Sequence, residues 1–203
     1  MRIFKFGGAS VKDADGVKNL VRVLREVGYQ DTFLVVSAMG KTTNAMERVV
    51  EAYLEYNSIV TTTIQEVVEY HEGILNELFE EDNHPVYHQV KLLFEEVKGF
   101  LAWNKSPKYA FVYDQVVGYG ELVSTTIVSH YLAQEGIPNT WQDVREMIKT
   151  DASYRDARVN WEKSQQEVNA RLDKTQLNIT QGFLGSDDNN FTTTLGREGS
   201  DYT

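Results

Sequence analysis

Cysteine is absent from the 203 residues of the chain. Its absence excludes disulfide bonds, thiolate zinc sites and a cysteine nucleophile, and it agrees with a reducing compartment. No stretch approaches the roughly 18 consecutive apolar residues that a membrane-spanning helix requires. The N-terminus also lacks the basic, apolar and small-residue segments of a signal peptide. We therefore expect a globular, cytoplasmic protein with no membrane partner, long enough for one large α/β domain.

Basic residues are scarce, with 20 lysines and arginines against 30 acidic residues and a net charge of −10. Residues 51–100 hold eleven acidic residues and two lysines, so most of the excess lies in that segment. We interpret the segment as a solvated helical face rather than an acidic recognition patch. The chain has no basic stripe, and a nucleic-acid partner is therefore not expected, because phosphate neutralisation supplies most of that affinity.

The first 40 residues predict a strand, a helix and a second strand. After the apolar start MRIF, apolar residues recur at helical spacing from Val17 to Val27, and Gly28 follows as a helix stop. The run TFLVVSAM at 32–39 has no polar alternation until Ser37. Such a run is typical of a strand that is covered on both faces of a parallel sheet.

The rest of the chain alternates long helical patterns with short strands. Helix is predicted from Asn44 to about Asn104, with a break before Pro85, and again over Tyr109–Gln134 and 161–172. Short strands are predicted near 140–143, around Thr150 and over 177–183. We expect one α/β domain with a helical insertion at about 44–104. The ending GREGSDYT resembles a helix start, so we also expect a piece of a longer protein.

The stretch KFGGAS, from Lys5 to Ser10, places a lysine and two glycines between the first strand and the first helix. Two glycines allow backbone amides to approach a ligand closely, and the N-terminus of the following helix favours an anion. Phosphate is the natural ligand of such a turn. On these six residues alone, however, a plain tight turn with a surface lysine is the preferred interpretation, and phosphate binding is the alternative.

The stretch SAMGKTTN, from Ser37 to Asn44, copies the end of a P-loop. The full signature needs a glycine five residues before Gly40, and Val35 stands there instead. A small-residue loop and helix N-terminus is therefore the preferred interpretation, with a P-loop NTPase as the alternative.

Two further glycine-containing stretches hold ionisable residues. GYGELVST, at 118–125, contains Gly118 and Gly120 in a helical pattern, where glycine costs about 1 kcal/mol relative to alanine. Either close helix packing or a ligand beside Glu121 would explain them. In TTTLGREGSDYT, Arg197 can clamp a carboxylate and Asp201 can accept an ammonium group. That pairing suits an amino acid, although a local ion pair in a polar loop is the alternative.

The four histidines show no metal-ligand spacing, and His71 lies on the apolar side of its helix. We therefore predict no histidine metal site and interpret His71 as a hydrogen-bonded packing residue.

Together KFGGAS, SAMGKTTN, GYGELVST, GFLGS and TTTLGREGSDYT, in this order, resemble the aspartate kinases of the amino acid kinase family. The resemblance runs from Lys5 to the last residue. It implies a three-layer α/β/α sandwich around a mainly parallel sheet, here incomplete. It also implies transfer of the ATP γ-phosphoryl group to the side-chain carboxylate of L-aspartate, with Mg²⁺ accompanying ATP. The product, 4-phospho-L-aspartate, would enter lysine, threonine and methionine biosynthesis. A homo-oligomer is compatible with the sequence.

The resemblance also assigns roles to individual residues. It implies that Lys5 and Asp201 are catalytic. The residues expected around the phosphate groups of ATP are Lys5, Gly7, Gly8 and Ser10. The residues expected to bind aspartate are Ser37, Thr43, Glu121, Phe183, Arg197, Ser200 and Asp201. Among these, Arg197 is the expected partner of the α-carboxylate, and Glu121 or Asp201 is the expected partner of the ammonium group.

Three positions depart from the family pattern, namely Ala9, Lys41 and Glu198. A carboxylate at Glu198 beside a phosphate-facing loop predicts an altered aspartate affinity or turnover. The family continues into a nucleotide-binding segment and regulatory domains, so we expect this chain alone to be weakly active or inactive. The alternatives are a non-catalytic amino-acid-binding module and a family member that acts on glutamate, acetylglutamate or carbamate.

Overall fold

The computed structural model describes residues 1–56, 58–80, 83–173 and 175–196. Its strands are β1 (Arg2–Phe6), β2 (Thr32–Val36), β3 (Asn139–Gln142), β4 (Leu177–Gln181), β5 (Leu184–Ser186) and β6 (Thr192–Thr194). Its helices are α1 (Ala14–Val27), α2 (Thr42–Glu51), α3 (Val60–Leu78), α4 (Pro85–Trp103), α5 (Tyr109–Val117), α6 (Tyr119–Gln134), α7 (Val144–Met147) and α8 (Trp161–Arg171). A 3₁₀ turn at Gly8–Val11 follows β1, and a π-helical turn at Ala52–Tyr56 extends α2.

Four parallel strands form the main sheet in the order β1-β2-β4-β3. Val35 of β2 lies opposite Lys5 on one side and opposite Thr180 on the other. Because the four strands run in the same direction, the loops that follow them meet at one edge of the sheet. β5 and β6 form a separate antiparallel hairpin, in which Gly185 pairs with Thr193.

Helices cover both faces of the sheet. Leu34 and Val36 of β2 point into the main core, where they join residues of α1 and α6. Phe33 and Val35 point the other way and pack with Met147 of α7 and with residues in and just after α8. The strand is therefore fully buried, as its unbroken apolar run predicts. The sandwich of helix, sheet and helix confirms the predicted fold class.

The first helix begins and ends where its sequence signals predict. The Asp13 side chain caps α1 by accepting a hydrogen bond from the Gly16 N–H at 2.9 Å. Gly28 ends the helix with a φ of 78°, a conformation that glycine adopts without steric cost. Farther along the chain, α2, α3 and α4 occupy the segment in which helix is predicted. Two helices of that segment pack against later helices: α2 against α5, and α4 against α6.

Two predicted elements are wrong, and two are too long. The single helix predicted over 109–134 is two helices that meet at Gly118, where the β5–β6 hairpin packs. A Cβ on this glycine would lie 3.0 Å from Leu184 Cδ2. In place of the strand predicted around Thr150, the described residues form two isolated bridges. One joins Thr150 to Val159, and the other joins Lys149 to Ser186. The strands predicted over 32–39 and 177–183 end earlier, at the last residues of β2 and β4, where the chain turns into loops.

Candidate active site

A cavity of about 510 Å³ opens at the edge of the sheet where the parallel strands end. Gly8 follows β1, Ser37 follows β2 and Phe183 follows β4, and all three line the cavity. Further walls come from α2, α5, the first turn of α6, the loop at Arg155 and the segment after β6. Ligands of open α/β sheets bind at this edge, so the cavity is the candidate active site.

The turns after β1 and β2 touch through their backbones. The Gly40 N–H donates to the Gly8 carbonyl oxygen at 2.9 Å, and a Cβ on Gly8 would lie only 2.5 Å from the Ala38 carbonyl oxygen. Only glycine fits at this position. A Cβ on Gly7, by contrast, would meet nothing within 4 Å. The backbone at Gly7 is therefore open to a ligand.

Five of the residues predicted from the sequence line the cavity: Gly8, Ser37, Thr43, Glu121 and Phe183. Three others lie in β1 and the turn that follows it, next to the lining residue of that turn: Lys5, Gly7 and Ser10. Four residues singled out near the C-terminus lie outside the described residues: Arg197, Glu198, Ser200 and Asp201. The described chain before these four ends at Gly196, which also lines the cavity.

Glu121 is a buried carboxyl group in the cavity wall, 2% exposed. Its Oε1 accepts a long hydrogen bond from the Ala38 N–H at 3.4 Å. Within the described ranges, its buried Oε2 has no hydrogen-bond partner. Burial raises the pKa of Glu121 to about 8, although its own N–H and that of Ala38 oppose the shift. A buried acceptor without a partner is unfavourable, so this oxygen can gain from a ligand that donates a hydrogen bond.

The glycine before this residue explains how the carboxyl group reaches the cavity. A Cβ on Gly120 would lie 3.0 Å from Thr42 Cγ2 and 3.2 Å from Ala38 Cβ. The start of α6 therefore lies directly against the loop after β2 and the start of α2. Close helix packing is observed here, and the same packing places the Glu121 carboxyl group in the cavity wall, so the two explanations offered by the sequence are compatible.

Two polar residues of α5 hold β6 beside the cavity, and sequence reasoning missed both. Asp114 accepts hydrogen bonds from the Thr194 N–H at 2.9 Å and the Thr194 hydroxyl at 2.8 Å. The Gln115 side chain pairs with the backbone of Thr192, donating at 2.8 Å and accepting at 3.1 Å. The available signal was an Asp-Gln pair inside the apolar run YAFVYDQVV. These bonds fix the strand that leads to Gly196.

Arg155 is a third residue that the sequence did not indicate. Its guanidinium group lies 3.3 Å from Glu47 Oε1 and over the ring of Tyr113, 4.4 Å from the ring centroid. All three residues line the cavity. The cavity wall therefore contains a positive charge next to a negative one, and both are contributed by segments far apart in the chain.

His71 is buried, and its Nδ1 lies 2.7 Å from the Val67 carbonyl oxygen. Burial lowers its pKa to about 4, so the ring is neutral. This confirms the packing role predicted for it. The described part of the chain contains no group of three or more histidine, aspartate or glutamate residues that could hold a metal ion. Within the same ranges, a helix with the length and hydropathy of a bilayer span is not found.

Known proteins are similar to this chain in both sequence and fold. The amino acid kinase family model matches residues 1–203. The chain is 29% identical over 208 residues to lysine-sensitive aspartokinase 3 of Escherichia coli K12, covering 99% of this chain and 44% of that protein. It is 24% identical over 212 residues to the chloroplastic bifunctional aspartokinase/homoserine dehydrogenase 2 of Arabidopsis thaliana, covering 99% of this chain and 23% of that protein.

Two crystal structures of E. coli aspartokinase III superpose on the whole chain at 26% identity. The complex with lysine and aspartate, a T-state, gives a TM-score of 0.87, and the complex with aspartate and ADP, an R-state, gives 0.86. This chain covers 45% of each. It therefore spans less than half the length of these relatives, and the similarity confirms the resemblance to aspartate kinases. With its sheet, its strand-end cavity and a family match over every residue, the chain belongs to the amino acid kinase family.

Proposed function

We propose that the chain is the aspartate-binding N-terminal portion of the catalytic domain of an aspartate kinase. The whole enzyme would transfer the γ-phosphoryl group of ATP to the side-chain carboxylate of L-aspartate. The product would be 4-phospho-L-aspartate, in the first step of lysine, threonine and methionine biosynthesis. Similarity to aspartokinases over the whole chain supports this proposal, as do the aspartate and ADP complexes of the E. coli enzyme.

The buried Glu121 carboxyl group is the observation that carries the proposal. Among the described residues its Oε2 has no hydrogen-bond partner, and the ammonium group of an amino acid supplies three N–H donors and a compensating positive charge. Thr43 and Ser37 lie in the same wall and would contact the rest of the amino acid. Arg197, Ser200 and Asp201 keep the aspartate-binding roles that the resemblance implies.

The proposed reaction does not require a general base from the protein. An aspartate side chain is already ionised at neutral pH, so the site needs to align the reactants and stabilise charge on the phosphoryl oxygens. Lys5 and the open backbone at Gly7 would meet the phosphate groups, with Ser10 in the same turn, and Asp201 would complete the catalytic pair. Mg²⁺ bound with ATP would neutralise part of the phosphate charge.

The length of the chain bears on activity. Because the chain spans less than half of its relatives, we propose that residues beyond these 203 supply most of the nucleotide site. The chain alone would then bind aspartate and have weak or no turnover.

Titration calorimetry of the 203-residue chain with L-aspartate tests the binding half of the proposal. We expect saturable binding, and we expect Glu121→Gln to weaken it about tenfold or more, because a charged partner of the ammonium group is lost. Glu162→Gln, an exposed change in α8, is the matched control and should bind as the wild type does.

A coupled ADP-release assay on the complete open reading frame tests the catalytic half. We expect ATP turnover with aspartate and none with glutamate, N-acetylglutamate or carbamate. Preference for one of those three would assign the protein to another branch of the family. Aspartate binding without turnover in the complete protein would favour the non-catalytic binding module.

A further inference from the structure

The backbone at Arg155 has a φ of 71°, in the left-handed region that glycine favours. The Arg155 N–H donates to both carboxylate oxygens of Asp114, at 3.1 Å and 3.0 Å, and these bonds hold the backbone in place. An arginine at such a position costs conformational energy that a glycine would not. The presence of an arginine here is consistent with a function for its side chain.

The guanidinium group of Arg155 is held in orientation, but most of its N–H groups donate no hydrogen bond to a described residue. Its one hydrogen bond within the described part of the chain goes to Glu47 at 3.3 Å, and the rings of Tyr113 and Tyr109 lie 4.4 Å and 5.1 Å from its carbon. Stacking on aromatic rings fixes the plane of an arginine and leaves its N–H groups available at the edge. The side chain is 45% exposed, so a ligand can reach it.

Arg155 also decides the charge of the cavity. Among the described lining residues, the acidic and basic side chains are Glu47, Glu121 and Arg155. Without Arg155 the described wall would present two carboxyl groups and no cation, which is unfavourable for an anionic ligand. With it, the wall can receive a zwitterion, an ammonium group at one carboxyl and a carboxylate at the arginine.

The location of Arg155 indicates which end of a substrate it meets. Its partner Glu47 lies five residues beyond Thr42, the start of α2, about 7.5 Å along the helix from that start. The backbone carbonyl oxygen of Arg155 lies 3.6 Å from the position that a Cβ on Gly196 would occupy. The Arg155 backbone therefore lies beside Gly196 and its guanidinium group beside Glu47, whereas phosphate is expected at the turns after β1 and β2.

We propose that Arg155 binds the α-carboxylate of the amino-acid substrate and thereby helps select an α-amino acid. The inference rests on the proposed function, and it adds a second cation for the group that the resemblance assigns to Arg197. The side-chain carboxylate of the substrate then points toward the Gly8 and Gly40 turns, where the phosphoryl group would arrive.

Calorimetry with three ligands tests the assignment. L-Aspartate has both carboxylates, L-asparagine lacks the side-chain carboxylate, and L-isoasparagine lacks the α-carboxylate. The test variant is Arg155→Gly, because glycine suits the observed φ and the fold should be retained or stabilised. We expect affinity for aspartate and asparagine to fall by about tenfold to a hundredfold, and affinity for isoasparagine to be unchanged.

Two controls accompany this variant. Arg158→Ala removes an exposed arginine of the same segment and should leave all three affinities unchanged. Arg155→Lys keeps the charge and should recover part of the lost affinity, because lysine cannot form the two-pronged contact. A thermal melt of each variant reports on folding.

Each other outcome overturns a defined statement. Unchanged affinities in Arg155→Gly, or an equal loss for all three ligands with a lowered melting temperature, would overturn the role of Arg155. A selective loss for isoasparagine would place Arg155 at the side-chain carboxylate and overturn the α-carboxylate assignment. If the wild-type chain bound none of the three ligands, the proposed aspartate binding would fail and this inference with it.

Discussion

Two carboxyl groups near the cavity are buried, and their surroundings give them different roles. Asp114 accepts hydrogen bonds from the N–H groups of Arg155 and Thr194 and from the Thr194 hydroxyl, so its oxygens are satisfied inside the protein. Burial raises its pKa to about 6, with these bonds opposing the shift. Glu121 accepts one long bond from Ala38, and its other oxygen has no hydrogen-bond partner among the residues that the structure describes. Asp114 is thus a positioning residue, and Glu121 is the candidate binding group.

The raised pKa of Glu121 predicts that aspartate binding depends on pH. With a pKa of about 8, the carboxyl group of the ligand-free chain is mostly protonated at neutral pH, whereas pairing with an ammonium group requires the carboxylate. Binding should therefore release a proton, and affinity should rise by up to about tenfold per pH unit until the pH passes that pKa. Titration calorimetry in buffers of different protonation enthalpy measures the proton count.

The variant Glu121→Gln serves as the control, since it cannot titrate and its weaker binding should be independent of pH in this range. An equal affinity of the wild-type chain at pH values of about 6 and about 8 would contradict the prediction.

At the scale of elements, replacing a glycine by alanine has opposite effects on stability at two positions. Gly8 lies in a turn where backbone meets backbone, whereas Gly99 lies on the exposed side of α4, where an added Cβ would meet nothing within 4 Å. The cost of a side chain is set by the neighbouring element in the first case and by helix propensity in the second.

We predict that Gly8→Ala lowers the free energy of unfolding by about 1–3 kcal/mol, because the Cβ would lie 2.5 Å from a carbonyl oxygen and the turn must move. We predict that Gly99→Ala raises it by about 1 kcal/mol, since alanine is the better helix former. Urea unfolding followed by circular dichroism measures both. A Gly8→Ala variant as stable as the wild type would show that the turns after β1 and β2 do not pack as described.

Considered as a whole, the molecule combines a strong negative charge with an open sheet edge. The net charge of −10 opposes association. Within the described residues, however, β1 pairs with β2 on one side only, and Ile3 in β1 is 62% exposed. An apolar edge strand is a template for pairing with another chain.

We therefore predict that Ile3→Lys raises the highest protein concentration at which the chain is still monomeric, because lysine on an edge strand disfavours pairing. Size-exclusion chromatography with light scattering at increasing protein concentration measures the effect. Lys18→Arg, a charge-conserving change on α1, is the control and should behave as the wild type does. Unaltered self-association in Ile3→Lys would exclude the β1 edge as its cause.

Local sequence signals were sufficient for much of the fold. Apolar spacing and the capping residues Asp13 and Gly28 locate α1, and an unbroken β-branched run locates β2. A glycine pair after the first predicted strand located the turn at Gly8, and two glycines within a helical pattern indicated the wall residue Glu121. These features depend on neighbours within a few residues, so the sequence by itself determined them.

Only the tertiary structure decided which distant residues share the cavity. Arg155 meets Glu47 across 108 positions of the chain, and Asp114 meets Thr194 across 80. The β5–β6 hairpin likewise packs at Gly118, where a helical pattern that is continuous in sequence separates into two helices. Burial, charge pairing and left-handed backbone at such positions depend on contacts between segments, and no local periodicity encodes those contacts.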